Sequence, residues 1–216
     1  MPEGFAFGST WEIRNEEGNG VLCQTAVGVL TSASTYYAQY ADFRASLRVR
    51  FDCFSGIDNM VTLALRASAS KSYIVYFSRA RNQIAIRKDV GGEQYLATAG
   101  FSCETGIWYA VSVSCASRGK GVAITLWVNG EKVLSAVDET SVISMGAFRF
   151  SCYNTRASFD DVFVSEITGQ GEEYRVSLIG SDGKAVENAR AQVFADGVPV
   201  GEYSSVCLLY TSDAAD

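Results

Sequence analysis

Between Phe43 and Cys53 the chain alternates without a break. Leu47, Val49, Phe51 and Cys53 take one parity, and Arg44, Arg48, Arg50 and Asp52 take the other. An extended strand sends successive side chains to opposite faces, so this segment carries an apolar face that must be covered. The same two-residue period recurs at Met60–Arg66 (Val61, Leu63, Leu65), Tyr73–Ser78, Gln83–Val90, Gln94–Thr98 and Ile107–Ala116. It continues at Val122–Val128, Lys132–Ala136, Gly146–Tyr153 and Ser158–Ile167, and Trp11–Arg14 with Gly20–Gln24 reads as a short hairpin. No 3.6-residue pattern competes with it. Turn signals separate the segments: Arg79-Ala80-Arg81-Asn82, Gly91-Gly92-Glu93, and Asn129-Gly130, the strongest two-residue hairpin signal in the chain. Roughly a dozen short strands, each apolar on one face, predict an all-β, two-sheet antiparallel sandwich. Its predicted core is Leu47, Val49, Phe51, Val111, Val113, Phe148, Phe150 and Phe159.

Composition narrows the chemistry. The chain has 216 residues and no histidine. Ser-His-Asp and Cys-His nucleophile pairs are therefore excluded, as is zinc held by histidine. A net charge of −6 gives no basic footprint for nucleic acid. No apolar run approaches the roughly 18 residues of a membrane helix, so membrane insertion is not expected. Of the six cysteines, none forms a C-x-x-C pair. Cys53, Cys115 and Cys152 fall at apolar parity, which reads as buried free thiols or, alternatively, as one cross-sheet disulfide joining Cys53 to Cys152.

The pattern changes after the last long strand. Residues 1–168 are expected to form the sandwich and 169–173 a Gly-rich linker. Residues 174–206 are expected to open a second β domain, with strands at Tyr174–Ile179 and Ala189–Phe194 around a Ser181-Asp182-Gly183 turn. Too few strands remain to close a core there, so this domain reads as truncated. Residues 207–216, Cys207-Leu208-Leu209-Tyr210-Thr211-Ser212-Asp213-Ala214-Ala215-Asp216, resemble a translated sequencing adapter and are set aside as a scar from a metagenomic fragment. No signal peptide is visible, and only Met1-Pro2-Glu3-Gly4-Phe5 precedes the first hairpin, which reads as a cut N-terminus.

Several residues carry a family resemblance in their order and spacing. They are Trp11 before Gly20-Val21-Leu22, Tyr40-Ala41-Asp42-Phe43, Tyr73, Trp108-Tyr109 and Val128-Asn129-Gly130. Gly146 before Phe148 and the final Phe159-Asp160-Asp161-Val162-Phe163-Val164 strand complete the set. Over about residues 5 to 167 they resemble the concanavalin A-like lectin/glucanase superfamily, nearest its laminin G-like and 3-keto-disaccharide-hydrolase-like branch. The unit after residue 173 resembles the start of a bacterial Ig-like or carboxypeptidase-regulatory-like domain. The resemblance implies a jelly roll with a sugar site on a concave sheet or its rim, in a large extracellular bacterial protein with further covalently joined domains.

Candidate chemistry follows from the residues and from that resemblance. The paired-carboxylate glucanase strand, Glu-x-Asp-x-x-Glu, is missing, which excludes that retaining mechanism. Glu16-Glu17 and Asp138-Glu139 read as solvated turn charges. Asp160 matches, by resemblance, a last-strand aspartate that holds a structural Ca2+ in relatives, which would make calcium the one cofactor; the alternative is that Asp160 caps a strand end or accepts backbone hydrogen bonds. Sugar recognition needs an aromatic plate and planar polar side chains. Trp127 alternates against Ile124, Leu126 and Val128, and Tyr76 against Tyr73, Val75 and Phe77, so both are expected off the core face, with Trp127 accessible. Arg50, Arg87, Asn129, Tyr153 and Asn154 are the polar groups that would join them. The resulting expectation is a noncatalytic, lectin-like module that binds glycan or polysaccharide. The alternatives are a 3-keto-disaccharide-hydrolase-like enzyme domain and a ligand-free spacer.

Overall fold

The computed structural model describes residues 5–28, 31–35, 38–167, 190–195 and 198–204, and side chains for 6–28 and 38–167. The chain divides into two compact units, Met1–Thr168 and Gly169–Asp216. Every regular element among the described residues is a β-strand, and no helix is long and apolar enough to cross a membrane.

The first unit holds two antiparallel sheets of seven strands each. Sheet I runs β1 (Phe5–Phe7), β4 (Thr31–Thr35), β13 (Ala147–Tyr153), β6 (Met60–Ala67), β7 (Lys71–Ser78), β8 (Gln83–Val90) and β9 (Glu93–Gly100). Sheet II runs β12 (Glu131–Asp138), β11 (Gly121–Val128), β10 (Trp108–Arg118), β5 (Phe43–Phe54), β14 (Thr155–Glu166), β3 (Asn19–Gln24) and β2 (Trp11–Glu16). In the second unit β15 (Arg190–Ala195) pairs with β16 (Val198–Ser204). The linker at 169–173, the strand expected over 174–179 and the tail at 207–216 lie outside the described residues.

The alternation in the sequence becomes the core. Leu47, Val49, Phe51, Val111, Val113, Phe148, Phe150 and Phe159 are all buried in one cluster between the sheets. Phe150 of sheet I stacks on Phe159 of sheet II with centroids 4.6 Å apart, and Trp11 packs against both. Phe51 meets Phe77 across the same gap. Asn129 and Gly130 both adopt positive φ, 52° and 82°, in the tight turn between β11 and β12.

Several bulges break the alternation, and four of them redirect side chains. Opposite Arg156-Ala157, β5 carries an extra residue, Asp52. Cys53 then leaves the core face, and Phe54 takes its place, stacked on Phe51 at 5.5 Å. The sequence expectation for Cys53 is corrected accordingly, and Cys53 and Cys152 are not bonded: Cys23, Cys53, Cys103, Cys115 and Cys152 are free thiols. Burial pushes the Cys103 and Cys115 thiols up to about 12. In β9 an extra residue opposite Ile86-Arg87 lets Leu96 pack inward and turns Tyr95 outward. In β14 an extra residue between Asp160 and Phe163, where Asp161 has φ 50°, buries Val162 and exposes Phe163. In β6 the irregularity at Arg66, φ 48°, turns that guanidinium inward.

Buried polar groups hold one end of the sandwich. Arg66 is 1% exposed and donates to Ala41 O at 2.6 Å, Ile143 O at 2.7 Å, Asp42 Oδ1 at 2.7 Å and Ser117 Oγ at 3.2 Å. Gly146 lies against the same residue: a Cβ there would fall 2.2 Å from the Arg66 carbonyl carbon. Nearby, Lys88 Nζ lies 2.7 Å from Asp138 Oδ2 with both side chains buried, and also donates to Thr140 O. The Tyr73 hydroxyl donates to Asp138 at 2.7 Å and accepts from the Ile143 amide at 3.1 Å. Asp138 is therefore not the solvated turn charge that its position suggests. Burial penalises its charged form, but donation from Lys88, Tyr73 and Thr140 more than offsets that and holds its carboxyl below the usual range.

Phe150→Ala should lower the free energy of unfolding by about 3–5 kcal/mol, read by chemical denaturation. Lys88→Met removes one partner of a buried pair and should cost about 3–5 kcal/mol. The depressed Asp138 pKa gives stability that is present above the ordinary carboxylate value near about 4 and is lost as pH falls through the folded value. Denaturation curves taken from pH 7 downward should show that acid loss in the parent protein and a shallower one in Asp138→Asn.

Candidate functional site

The outward side chains fall on two separate faces, one per sheet, so the residues singled out from the sequence do not form one cluster. Tyr76, Arg87 and Tyr153 belong to the outer face of sheet I, and Arg50 and Trp127 to that of sheet II. Asn129 and Asn154 sit in turns and spend their side chains there. Asn129 Oδ1 accepts from the Ala110 amide at 2.9 Å, and Asn154 Nδ2 donates to Asp58 O at 2.7 Å.

On the outer face of sheet II two tryptophans, Trp127 and Trp108, are covered by arginine. Trp127 does point off the core face, but it is only 8% exposed because the Arg44 guanidinium lies 5.2 Å from its ring centroid. The expected accessible plate is thus closed. Trp108 has Arg48 at 4.8 Å and Arg50 at 4.7 Å from its ring centroid. Arg50 is saturated: it donates to Glu16 at 2.8 and 2.7 Å, to Asp52 at 2.7 Å and to Ser158 at 3.1 Å. Glu16 is therefore an ion-paired group rather than a solvated turn charge, and Arg50 holds its carboxyl below the usual range.

Asp160 lies on the same face. Its Oδ2 accepts from Asn19 Nδ2 at 2.7 Å and its Oδ1 from the Asp161 amide at 2.9 Å. Calcium takes roughly six to eight oxygen ligands. Among the described residues no group of three or more acidic or cysteine side chains gathers at one point, so a calcium at Asp160 would draw the rest of its shell from carbonyl, amide and water oxygens.

Sheet I presents a different surface. Tyr95, which the sequence reading passed over, is 42% exposed. Arg81 donates to its hydroxyl at 3.0 Å, and the Tyr76 hydroxyl lies 3.3 Å away. The Tyr76 ring meets the Tyr95 ring edge-on at 6.2 Å. Tyr76 itself is buried and donates to Gln83 Oε1 at 2.9 Å, and burial, then the Tyr95 hydroxyl, push its pKa up to about 12. Tyr95 moves the opposite way through its hydroxyl contacts with Tyr76 and Arg81.

Beside the tyrosines, Arg87 holds Glu93 at 2.5 Å and Asp89 at 3.1 Å and lies over the Tyr76 ring at 5.8 Å. Arg87 Nε and Asp89 Oδ1 are buried without a partner. Burial raises the Asp89 carboxyl against the pull of Arg87. The outer face between these groups and Tyr153 mixes small side chains, Ala64 and a Thr62–Ser151 hydroxyl pair, with Ile74 and Met60. An exposed ring and fixed planar donors are elements that sugar recognition uses.

No family model matches the chain, and no curated protein sequence matches it. Solved structures do. The carbohydrate-binding module CBM66 from Bacillus subtilis aligns with a TM-score of 0.61 at 18% identity, covering 76% of this chain and 96% of that one. A B. subtilis protein of unknown function with a galectin-like fold aligns at 0.60 and 12% identity, covering 75% and 89%. The carbohydrate recognition domain of Emp46p, in its potassium-bound form, aligns at 0.56 and 10% identity, covering 74% and 88%. At such identities the likeness shows the fold: the first unit is a galectin-like antiparallel jelly roll.

Proposed function

We propose that the first unit is a noncatalytic carbohydrate-binding module that holds a glycan on the outer face of sheet I. The observation that carries this reading is Tyr95, an exposed ring whose hydroxyl is fixed by Arg81 and Tyr76 beside the Arg87 fork. A sugar would lay its C–H face on Tyr95 and offer hydroxyls to Arg81, Gln83 and Arg87. Two aligned structures are named for carbohydrate recognition, which supports the ligand class. The noncatalytic part is supported by the lack of histidine and by Glu16 and Asp52 both being spent on Arg50. The resemblance of residues 5 to 167 supports an extracellular bacterial protein with further domains joined to this one.

A glycan array followed by titration calorimetry on the full chain tests the proposal. Tyr95→Ala should weaken binding of the best array hit at least about tenfold. As a surface change, it should move the melting temperature by no more than about 2 °C. Unchanged affinity in that variant would move the site elsewhere, and an array without hits would leave the spacer reading. The same titration in EDTA tests calcium. With Asp160 already engaged by Asn19 and the Asp161 amide, affinity and melting temperature should stay constant, and a fall in either would place a cation there.

A further inference from the structure

Three guanidiniums face outward from β5 on sheet II, and one differs from the others. Arg50 is closed by Glu16 and Asp52, and Arg48 faces Asp161 at 3.6 Å. Arg44 lies over the Trp127 ring, makes no ion pair or hydrogen bond among the described residues, and has its Nε buried without an acceptor. Its charge is thus answered by no carboxylate, unlike those of Arg48 and Arg50, and an oxyanion docking on its terminal nitrogens would supply that partner.

The strand register shows what surrounds it. Ser46 lies two positions along β5 on the same outer face, and Ser112 of β10 and Phe163 of β14 flank Ser46 on either side. Phe163 is thus a diagonal cross-strand neighbour of Arg44, about 7–8 Å away between backbones. It is 62% exposed, and it points outward only because of the bulge at Asp161. Ser46 and Ser112 make no side-chain hydrogen bond among the described residues, so their hydroxyls are open to a ligand.

We propose that this patch is a second ligand site that takes a carboxylate-bearing sugar. The carboxylate meets the terminal nitrogens of Arg44, the ring hydroxyls meet Ser46 and Ser112, and the C–H face lies on Phe163. A single uncompensated guanidinium matches one carboxylate, and a chain of net charge −6 does not favour a dense polyanion such as nucleic acid. The site lies on the opposite sheet from Tyr95 and differs from it in ligand charge, so it stands independently of that reading.

The test uses the full chain, titrated by calorimetry with trigalacturonate and with its fully methyl-esterified form. The acid should bind, and the ester at least about tenfold more weakly, as expected when a charged hydrogen bond is lost. Arg44→Gln and, separately, Phe163→Ser should each weaken the acid at least about tenfold while Tyr95→Ala leaves it unchanged. Phe163→Ser changes an exposed side chain, so it reports on the site even if Arg44→Gln lowers the melting temperature. Equal affinity for acid and ester, retained affinity in both variants, loss of binding in Tyr95→Ala, or no heat at millimolar acid would each overturn the proposal.

Discussion

The architecture follows from the fact that β5 cannot be satisfied alone. It is hydrogen-bonded on both edges, by β10 and β14, so its backbone is closed and only its two faces remain to be solvated or covered. One face carries Phe43, Ala45, Leu47, Val49 and Phe51, all at 2% exposure or less. The other carries three arginines. A sheet with that asymmetry leaves water only by stacking its apolar side on another sheet, at roughly 10 Å separation. Phe77 and Phe150 of sheet I, and the strands that carry them, are the required counterpart. Everything polar is thereby sorted to two outer surfaces and to the ends of the sandwich.

Charges at the end and charges on the faces obey different rules. Arg66, Lys88 and Asp138 are out of water, so each must have its partners in place, and several of those partners are distant in sequence. This makes the segment after β12 structurally determined although it forms no regular element: Thr140 and Ile143 are held by Lys88, Asp138, Tyr73 and Arg66. On the faces the shells are less complete: Arg44 Nε, Arg87 Nε and Asp89 Oδ1 are buried without a partner, while part of each side chain remains exposed.

The core was legible because alternation needs only the period of a strand. Hairpin chemistry at Asn129-Gly130 was equally readable, since few residue pairs accept two consecutive positive φ values. What could not be read is any feature that depends on cross-strand register. Alternation placed Trp127 correctly off the core, but whether it is open depends on Arg44 reaching across two strands. Glu16 looked like a turn charge because its partner, Arg50, is distant in sequence. Tyr95 was missed for a related reason: parity with the inward Ala97 would bury it, and only the extra residue in β9 turns it out.

Two exposed aromatics on the outer faces, Tyr95 and Phe163, both owe their direction to an inserted residue. A bulge is the smallest possible edit of a strand, yet it inverts the parity of everything that follows until the strand ends. Were the same residues paired without that bulge, alternation from Asp160 would carry Phe163 to the interior and turn Val162 out, at unchanged composition. Recognition on this fold is therefore encoded partly in where a strand bulges. Two chains with the same aromatic content can differ by one bulge, and that bulge decides whether the ring packs the core or meets a ligand.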